Sequence, residues 1–138
     1  MRTIPLLITL SLLLTACRTP FVPFAPIKGQ QIVQIEVKPL SRMERVGHTF
    51  VRITNKDEIN YVVQSIAALK PEGFDHSSPT FDLWFETSSG SRLKLRVSEI
   101  EVGPDAPASA NNTHLFPSDK VSFRKFYDFL VNITNSNY

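Results

Sequence analysis

Val33, Ile35 and Val37 alternate with Gln34 and Glu36 near the start of the patterned part of the chain. A period of two marks a strand with one buried face. It predicts a first strand over Gln30 to Val37, closed by Pro39, which has no N–H for a ladder. A polar connection, Ser41 to Gly47, leads to a second strand across His48 to Ile53. The period then changes. Ile59, Val62, Val63, Ile66 and Leu69 fall at i, i+3, i+4, i+7 and i+10, the apolar face of a helix. Asn55 is its candidate N-cap, with Glu58 three residues on as in a capping box. Asp57 and Glu58 suit the positive end of the helix dipole, and Pro71 and Gly73 supply stop signals.

The period of two returns in Phe81, Leu83 and Phe85, set against Asp82, Trp84 and Glu86. It recurs in Leu93, Leu95 and Val97, set against Arg92, Lys94 and Arg96. Between the two runs, Ser88-Ser89-Gly90 predicts a three-residue loop with Gly90 at the left-handed position of a G1 bulge. That loop pairs Glu86 with Arg92, Phe85 with Leu93, Trp84 with Lys94, Leu83 with Leu95, Asp82 with Arg96 and Phe81 with Val97. A two-residue loop would set charged side chains opposite core residues, because a one-residue slip exchanges the two faces of a strand. Ile100 and Val102 either extend the last strand or form a short one. Gly103 to Pro117 shows no period and predicts a long loop of the kind that is often functional. Helical spacing resumes with Phe123, Phe126, Tyr127, Leu130 and Ile133, broadened by Val121 and Phe129 and capped by Ser118 or Asp119. The predicted fold is α+β, a small single domain over residues 30–135 in the order β-β-α-β-β-α. Its sheet is largely antiparallel, with two helices packed on one face.

The first 29 residues carry a different message. Met1-Arg2 gives a positive start, and Ile4 to Leu14 is apolar except for Pro5, Thr9 and Ser11. That run is about half the ~20 residues a membrane-spanning helix needs, and its flanks match a secretory signal peptide. It ends in Leu14-Thr15-Ala16-Cys17, which resembles the lipobox of bacterial lipoproteins. The resemblance covers residues 1–17. It implies cleavage after residue 16, a diacylglyceryl thioether on Cys17, and acylation of the new amino group. Cys17 is the single cysteine of the chain, so no internal disulfide is possible; a structural thiol and an uncleaved anchor are the other readings. In the family's sorting pattern an aspartate after the cysteine favours the inner membrane. Arg18 stands there instead, which implies an outer-membrane lipoprotein facing the periplasm if the cell is Gram-negative. Residues 17–29 then form a lipidated, Pro-rich tether. Pro20, Pro23 and Pro26 recur at the three-residue turn of polyproline II, whose ~3.1 Å rise extends the twelve residues from Arg18 to Gly29 to ~35 Å. Phe21, Phe24 and Ile27 share that period. They predict an apolar edge lying on the domain or the headgroups, or a recognition peptide for a partner.

Charge narrows the function classes. The whole chain has 15 Lys+Arg and 13 Asp+Glu, so without Arg2 the formal charge is about +1. That balance provides no basic face for nucleic acid. The sequence has no Gly-rich phosphate loop, no HExxH and no CxxC. His48, His76 and His114 fall in separate segments without ligand spacing. Asp75-His76-Ser77-Ser78 holds hydrolase residue types, but triads are built by spatial geometry and not by adjacency. No catalytic residue, metal site or cofactor is therefore predicted. The candidate contact surface is the wet face of the hairpin: Trp84 among Arg92, Lys94 and Arg96. Two of these cations have acidic cross-strand partners, and Lys94 can lie over the Trp84 ring. The expected protein is a non-enzymatic envelope lipoprotein, held to a membrane through Cys17 and acting on a protein partner as an accessory or assembly factor. The alternative is a periplasmic ligand or cell-wall binding module that uses the face around Trp84.

Overall fold

The computed structural model describes residues 22–40, 50–71, 78–105 and 114–136. Strands β1 (Ile32–Pro39) and β2 (Val51–Ile53) precede helix α1 (Lys56–Ala67). Strands β3 (Lys70–Pro71), β4 (Phe81–Thr87), β5 (Arg92–Val97), β6 (Val102–Pro104) and β7 (Leu115–Phe116) follow, and helix α2 (Lys120–Asn135) closes the domain. All seven strands join one antiparallel sheet in the order β2-β1-β4-β5-β6-β7-β3. The expected α+β class holds: the four strands expected from alternation form, and of the two readings at Ile100 and Val102 the short separate strand is present as β6. Two further strands, β3 and β7, are two residues long and too short to show a period.

The central hairpin forms in the expected register, from Glu86 opposite Arg92 to Phe81 opposite Val97. Its loop takes the three-residue form. The Gly90 N–H donates to Thr87 O at 2.9 Å, and Gly90 has φ 87°, which a Cβ would strain. On the inner face, Phe81, Leu83, Phe85, Leu95 and Val97 are fully buried beside Ile35 and Val37 of β1. The two helices cover this face. Ile59, Val62 and Ile66 of α1 and Phe123, Phe126, Tyr127 and Leu130 of α2 complete one core. The Tyr127 ring meets Phe81 edge-on at 5.6 Å.

Both helices begin as their caps dictate. The Asn55 side chain accepts from the N–H groups of Asp57 and Glu58. Asp119, of the two candidates, caps α2 by accepting from Val121 and Ser122. Helix α1 stops at Ala67, before Pro71, because Lys70 and Pro71 leave it to pair with Phe116 and Leu115 of β7. Val63 and Leu69 are only partly buried, at the rim of the core. Val121 is exposed in the first turn of α2, contrary to expectation, and Ile133 is partly buried. Thr134 is buried instead, with its hydroxyl donating to the carbonyls of Leu130 and Val131, so its polar atom is satisfied.

Several expectations change at the edges. Strand β1 starts and ends two residues later than expected. A register shift between Ile32 and Gln34 turns Val33 outward, where it is exposed, and Ile32 inward onto the core. One extra residue exchanges the faces on either side of a bulge. Pro39 belongs to β1, opposite Phe81. The Leu40 N–H donates to Thr80 O at 2.9 Å, so ladder alternation turns the Pro39 nitrogen toward the β2 side. Among the described residues β2 reaches only to a position opposite Val37, so proline deprives no described partner of a bond. Of the expected second strand, Val51–Ile53 is paired among the described residues; residues 41–49, with His48 and the connection Ser41 to Gly47, lie outside them. The long loop after Val102 is also revised, because its two ends, Gly103–Pro104 and Leu115–Phe116, are strand. A tight turn closed by Ser98 N–H to Glu101 O sends the chain back from β5 into β6.

The tether differs most. Ala25–Ile27 is a 3-10 turn and not polyproline II. Ile27 enters the core, and the Phe24 ring packs edge-on against Phe85 at 5.3 Å. The end of the apolar edge therefore lies on the domain, and the folded unit begins several residues before Gln30. A polar clamp holds it there. Gln30 Oε1 accepts from Thr87 Oγ1 at 2.9 Å and Ser89 Oγ at 2.6 Å, and the Ser88 N–H donates to Gln31 O at 2.9 Å. Short apolar residues between prolines gain more by burial than a solvated helix without internal bonds offers.

Two outcomes follow from these contacts. Phe24→Ala removes an aromatic from the edge of the core and should lower unfolding free energy by about 1–3 kcal/mol in urea titration. A change within ~0.5 kcal/mol would show that residue 24 behaves as free tether. The second outcome concerns Asp119. The Ser122 hydroxyl, followed by the Ser122 N–H, holds its carboxyl below the usual carboxylate range. A lowered folded-state value stabilises the fold above the ordinary Asp value of ~3.9, and that contribution is lost as pH falls through the folded value. In a carboxyl-detected NMR titration, Ser122→Ala should move the Asp119 midpoint upward; an unmoved midpoint would assign the shift to another cause.

Candidate binding face

The face of the sheet turned away from the helices carries every candidate contact residue. Sheet register arranges its side chains in rows. One row runs Arg52, Glu36, Trp84, Lys94 across β2, β1, β4 and β5, and Asp105 follows immediately after β6. The next row runs Lys38, Asp82, Arg96, Gly103. Alternation in each strand sends these residues outward, and antiparallel pairing sets unlike charges beside one another.

Ion pairs join the rows into a network. Glu36 takes the guanidinium of Arg92 at 2.9 Å and that of Arg52 at 3.4 Å. Lys94 Nζ lies 3.2 Å from both Asp82 and Asp105. Arg96 reaches Asp105 at 3.1 Å and Asp82 at 3.6 Å. The Asp82 and Lys94 side chains are only 9% and 16% exposed, so this part of the network sits in a screened, low-dielectric layer. Asp82 Oδ1 and Arg96 Nε face each other at the longest of these distances, and both are buried without a hydrogen-bond partner.

Trp84 is half-buried and not openly exposed. The Arg92 guanidinium lies 5.0 Å from its ring centroid and Lys94 Nζ lies 5.1 Å away. The expected Lys94 contact is present. The expected partner of Arg92 is different: Glu86 stands opposite it in register, yet its guanidinium crosses Trp84 to Glu36 on β1. A diagonal reach of this kind lets one cation cover the ring and meet a more buried carboxylate at the same time.

At the β6 side, Glu101 and His114 form a second polar group. Glu101 Oε1 is 2.6 Å from His114 Nδ1, the Glu101 side chain is 4% exposed, and Glu101 Oε2 has no hydrogen-bond partner. The imidazole lies on Gly103, where an added Cβ would come within 3.3 Å of ring atoms. Glycine here permits close approach of ring and strand. A carboxylate on Nδ1 orients an imidazole and fixes which nitrogen carries its proton. Sequence reasoning did not find this pair, because thirteen residues separate its members and only the β6–β7 pairing brings them together.

His48 and His76, and Asp75 through Ser77 of the hydrolase-like string, lie outside the described residues. Among the described residues no group of three His, Cys, Asp or Glu side chains could hold a metal ion. A cavity of about 170 Å³ lies between the end of α1 and the start of α2, lined by Ser65, Leu69, Asp119 and Phe123. A dent of about 260 Å³ lies beside β2, against Arg52, Glu58 and Ile133. Both fall below the ~300–1,000 Å³ of ordinary small-molecule sites. Cys17 lies outside the described residues, and no helix among those described is long and apolar enough to cross a membrane. No protein-family model, curated protein or solved structure matches the chain.

The network sets an order of stabilities. Asp82→Asn leaves Lys94 and Arg96 with only Asp105 and should destabilise the domain by about 1–3 kcal/mol in thermal melts. Asp105→Asn, at a carboxylate 41% exposed, should change stability by less than ~1 kcal/mol. Equal effects would show that burial does not decide the strength of these pairs.

Proposed function

We propose that the chain is a lipid-anchored protein of the cell envelope, attached through acylated Cys17, whose domain acts without catalysis as an accessory or assembly factor for a protein partner. In a Gram-negative cell it would face the periplasm from the outer membrane. The observation that carries the address is Leu14-Thr15-Ala16-Cys17 behind a positive start and a short apolar run, with Arg18 next. Two or more acyl chains give stable attachment, since each buried CH₂ contributes ~0.8 kcal/mol.

The outer face supports a protein partner over an anionic ligand. Its cations already hold carboxylates: Arg92 holds Glu36, and Lys94 and Arg96 hold Asp82 and Asp105. A small anion would have to displace these pairs. A protein surface with its own mixed charges can instead extend the checkered pattern and use complementarity for specificity. The ligand or cell-wall module remains the alternative, and Trp84 under two cations is the observation that favours it.

One experiment in intact cells addresses both halves. Wild-type protein should take up palmitate label, sediment with membranes and yield a discrete protein adduct after crosslinking. Cys17→Ala should lose the label and move to the soluble fraction. Label retained by the alanine variant would refute lipidation at Cys17, and crosslinking that yields no protein adduct would remove the partner.

A further inference from the structure

We propose that the β4–β5 hairpin end of the domain rests at the lipid surface, and that the end bearing the Ser98–Glu101 turn projects away from it. This orientation depends on acylation of Cys17, as proposed above. Its structural basis is the way the tether joins the fold. Phe24 packs on Phe85 near the end of β4, and Ile27 is buried in the core. Gly29, at φ 78°, turns the chain, and Gln30 and Gln31 bond to Thr87, Ser88 and Ser89 of the hairpin. Only then does β1 begin, with Ile32 opposite Thr87, and run to Pro39 opposite Phe81 at the other end of the sheet. The attachment point is therefore the hairpin end, fixed by the Phe24–Phe85 contact, by buried Ile27 and by hydrogen bonds.

Covalent length turns that attachment into an orientation. Five residue steps separate Cys17 from Val22, which span at most ~18 Å when fully extended. The eight residues of β1 alone are about 23 Å long at ~3.3 Å per step. A tether shorter than the sheet cannot hold the domain upright with its far end on the bilayer while Phe24 stays on Phe85. The chemistry of the near end suits a headgroup layer. Residues 28–31 and 88–91 carry Lys28 with no carboxylate, and the remainder are Gln, Ser and Gly. Positive charge beside polar, uncharged side chains is attracted to anionic phospholipid. The Ser98–Glu101 turn, with exposed Ile100, is left open to a partner on the side away from the membrane.

The test uses the full acylated protein in vesicles of phosphatidylethanolamine and phosphatidylglycerol that carry a headgroup nitroxide quencher. Ser88→Cys and Gln31→Cys place a thiol-reactive fluorophore at the near end; Ile100→Cys and Glu99→Cys place it at the far end. Acylated Cys17 is a thioether and takes no label. Fluorescence at positions 88 and 31 should be quenched several-fold more strongly than at 100 and 99. Equal quenching, or stronger quenching at the far end, would overturn the orientation. Mass spectrometry of the Cys17 peptide separates the two ways of failing. An acyl mass with equal quenching overturns the orientation alone, whereas an absent acyl mass overturns the anchor and the orientation with it.

Discussion

The strict alternation of β4 governs this molecule. Phe81, Leu83 and Phe85 must point to one side and Asp82, Trp84 and Glu86 to the other, because successive side chains of a strand take opposite faces. Strand β4 is paired on both sides, to β1 and β5, so its alternation is imposed on the neighbours through register. The inner set collects both helices and the tether. The outer set collects the cations of β5, the carboxylate of β1 and, through β6, Asp105. A slip of one residue in this strand would bury Asp82 and Glu86 against Phe126 and Leu130 and expose three large apolar side chains.

The two faces solve opposite problems. On the inner face, apolar area is removed from water without direction, and any well-filled arrangement of Ile, Leu, Val and Phe serves. On the outer face, half-buried charges need partners at fixed positions, since a charge that loses water without a partner is destabilising. The network answers with cations shared between carboxylates, Lys94 and Arg96 each touching both Asp82 and Asp105. Trp84 supplies the apolar floor on which Arg92 and Lys94 lie. The result is a surface whose charges are largely satisfied within the domain.

Strength of local pattern decided which elements were legible. The hairpin register was readable to the residue because two alternating runs flank a loop that needs a left-handed glycine, and only one pairing keeps both apolar sets on one side. The caps of both helices were readable because Asn and Asp accept from the first free N–H groups wherever a helix begins. Val121 is exposed because spacing itself excludes it: at 3.6 residues per turn it stands about 180° around α2 from Leu130 and so faces away from the core. Strands β3 and β7 were missed because two residues carry no period, and Lys70 and Pro71 are strand only because Leu115 and Phe116 lie beside them.

The candidate surface divides along the same line. Trp84, Arg92, Lys94 and Arg96 share a face by alternation alone, so the sequence determined their company. It also determined the apolar stripes, the hairpin turn, the near-balance of charge and the lipobox-like run that ends at Cys17. Tertiary structure decided the rest: that Arg92 crosses to Glu36 and not to Glu86, that Asp105 joins the network, and that Glu101 meets His114. It also decided that Phe24 and Ile27 leave a proline-rich run to enter the core. The physical reason is range. Alternation, helical spacing and capping act over a few residues and are written into neighbours along the chain, whereas ion pairing and apolar burial act between whichever groups the fold brings within a few ångströms.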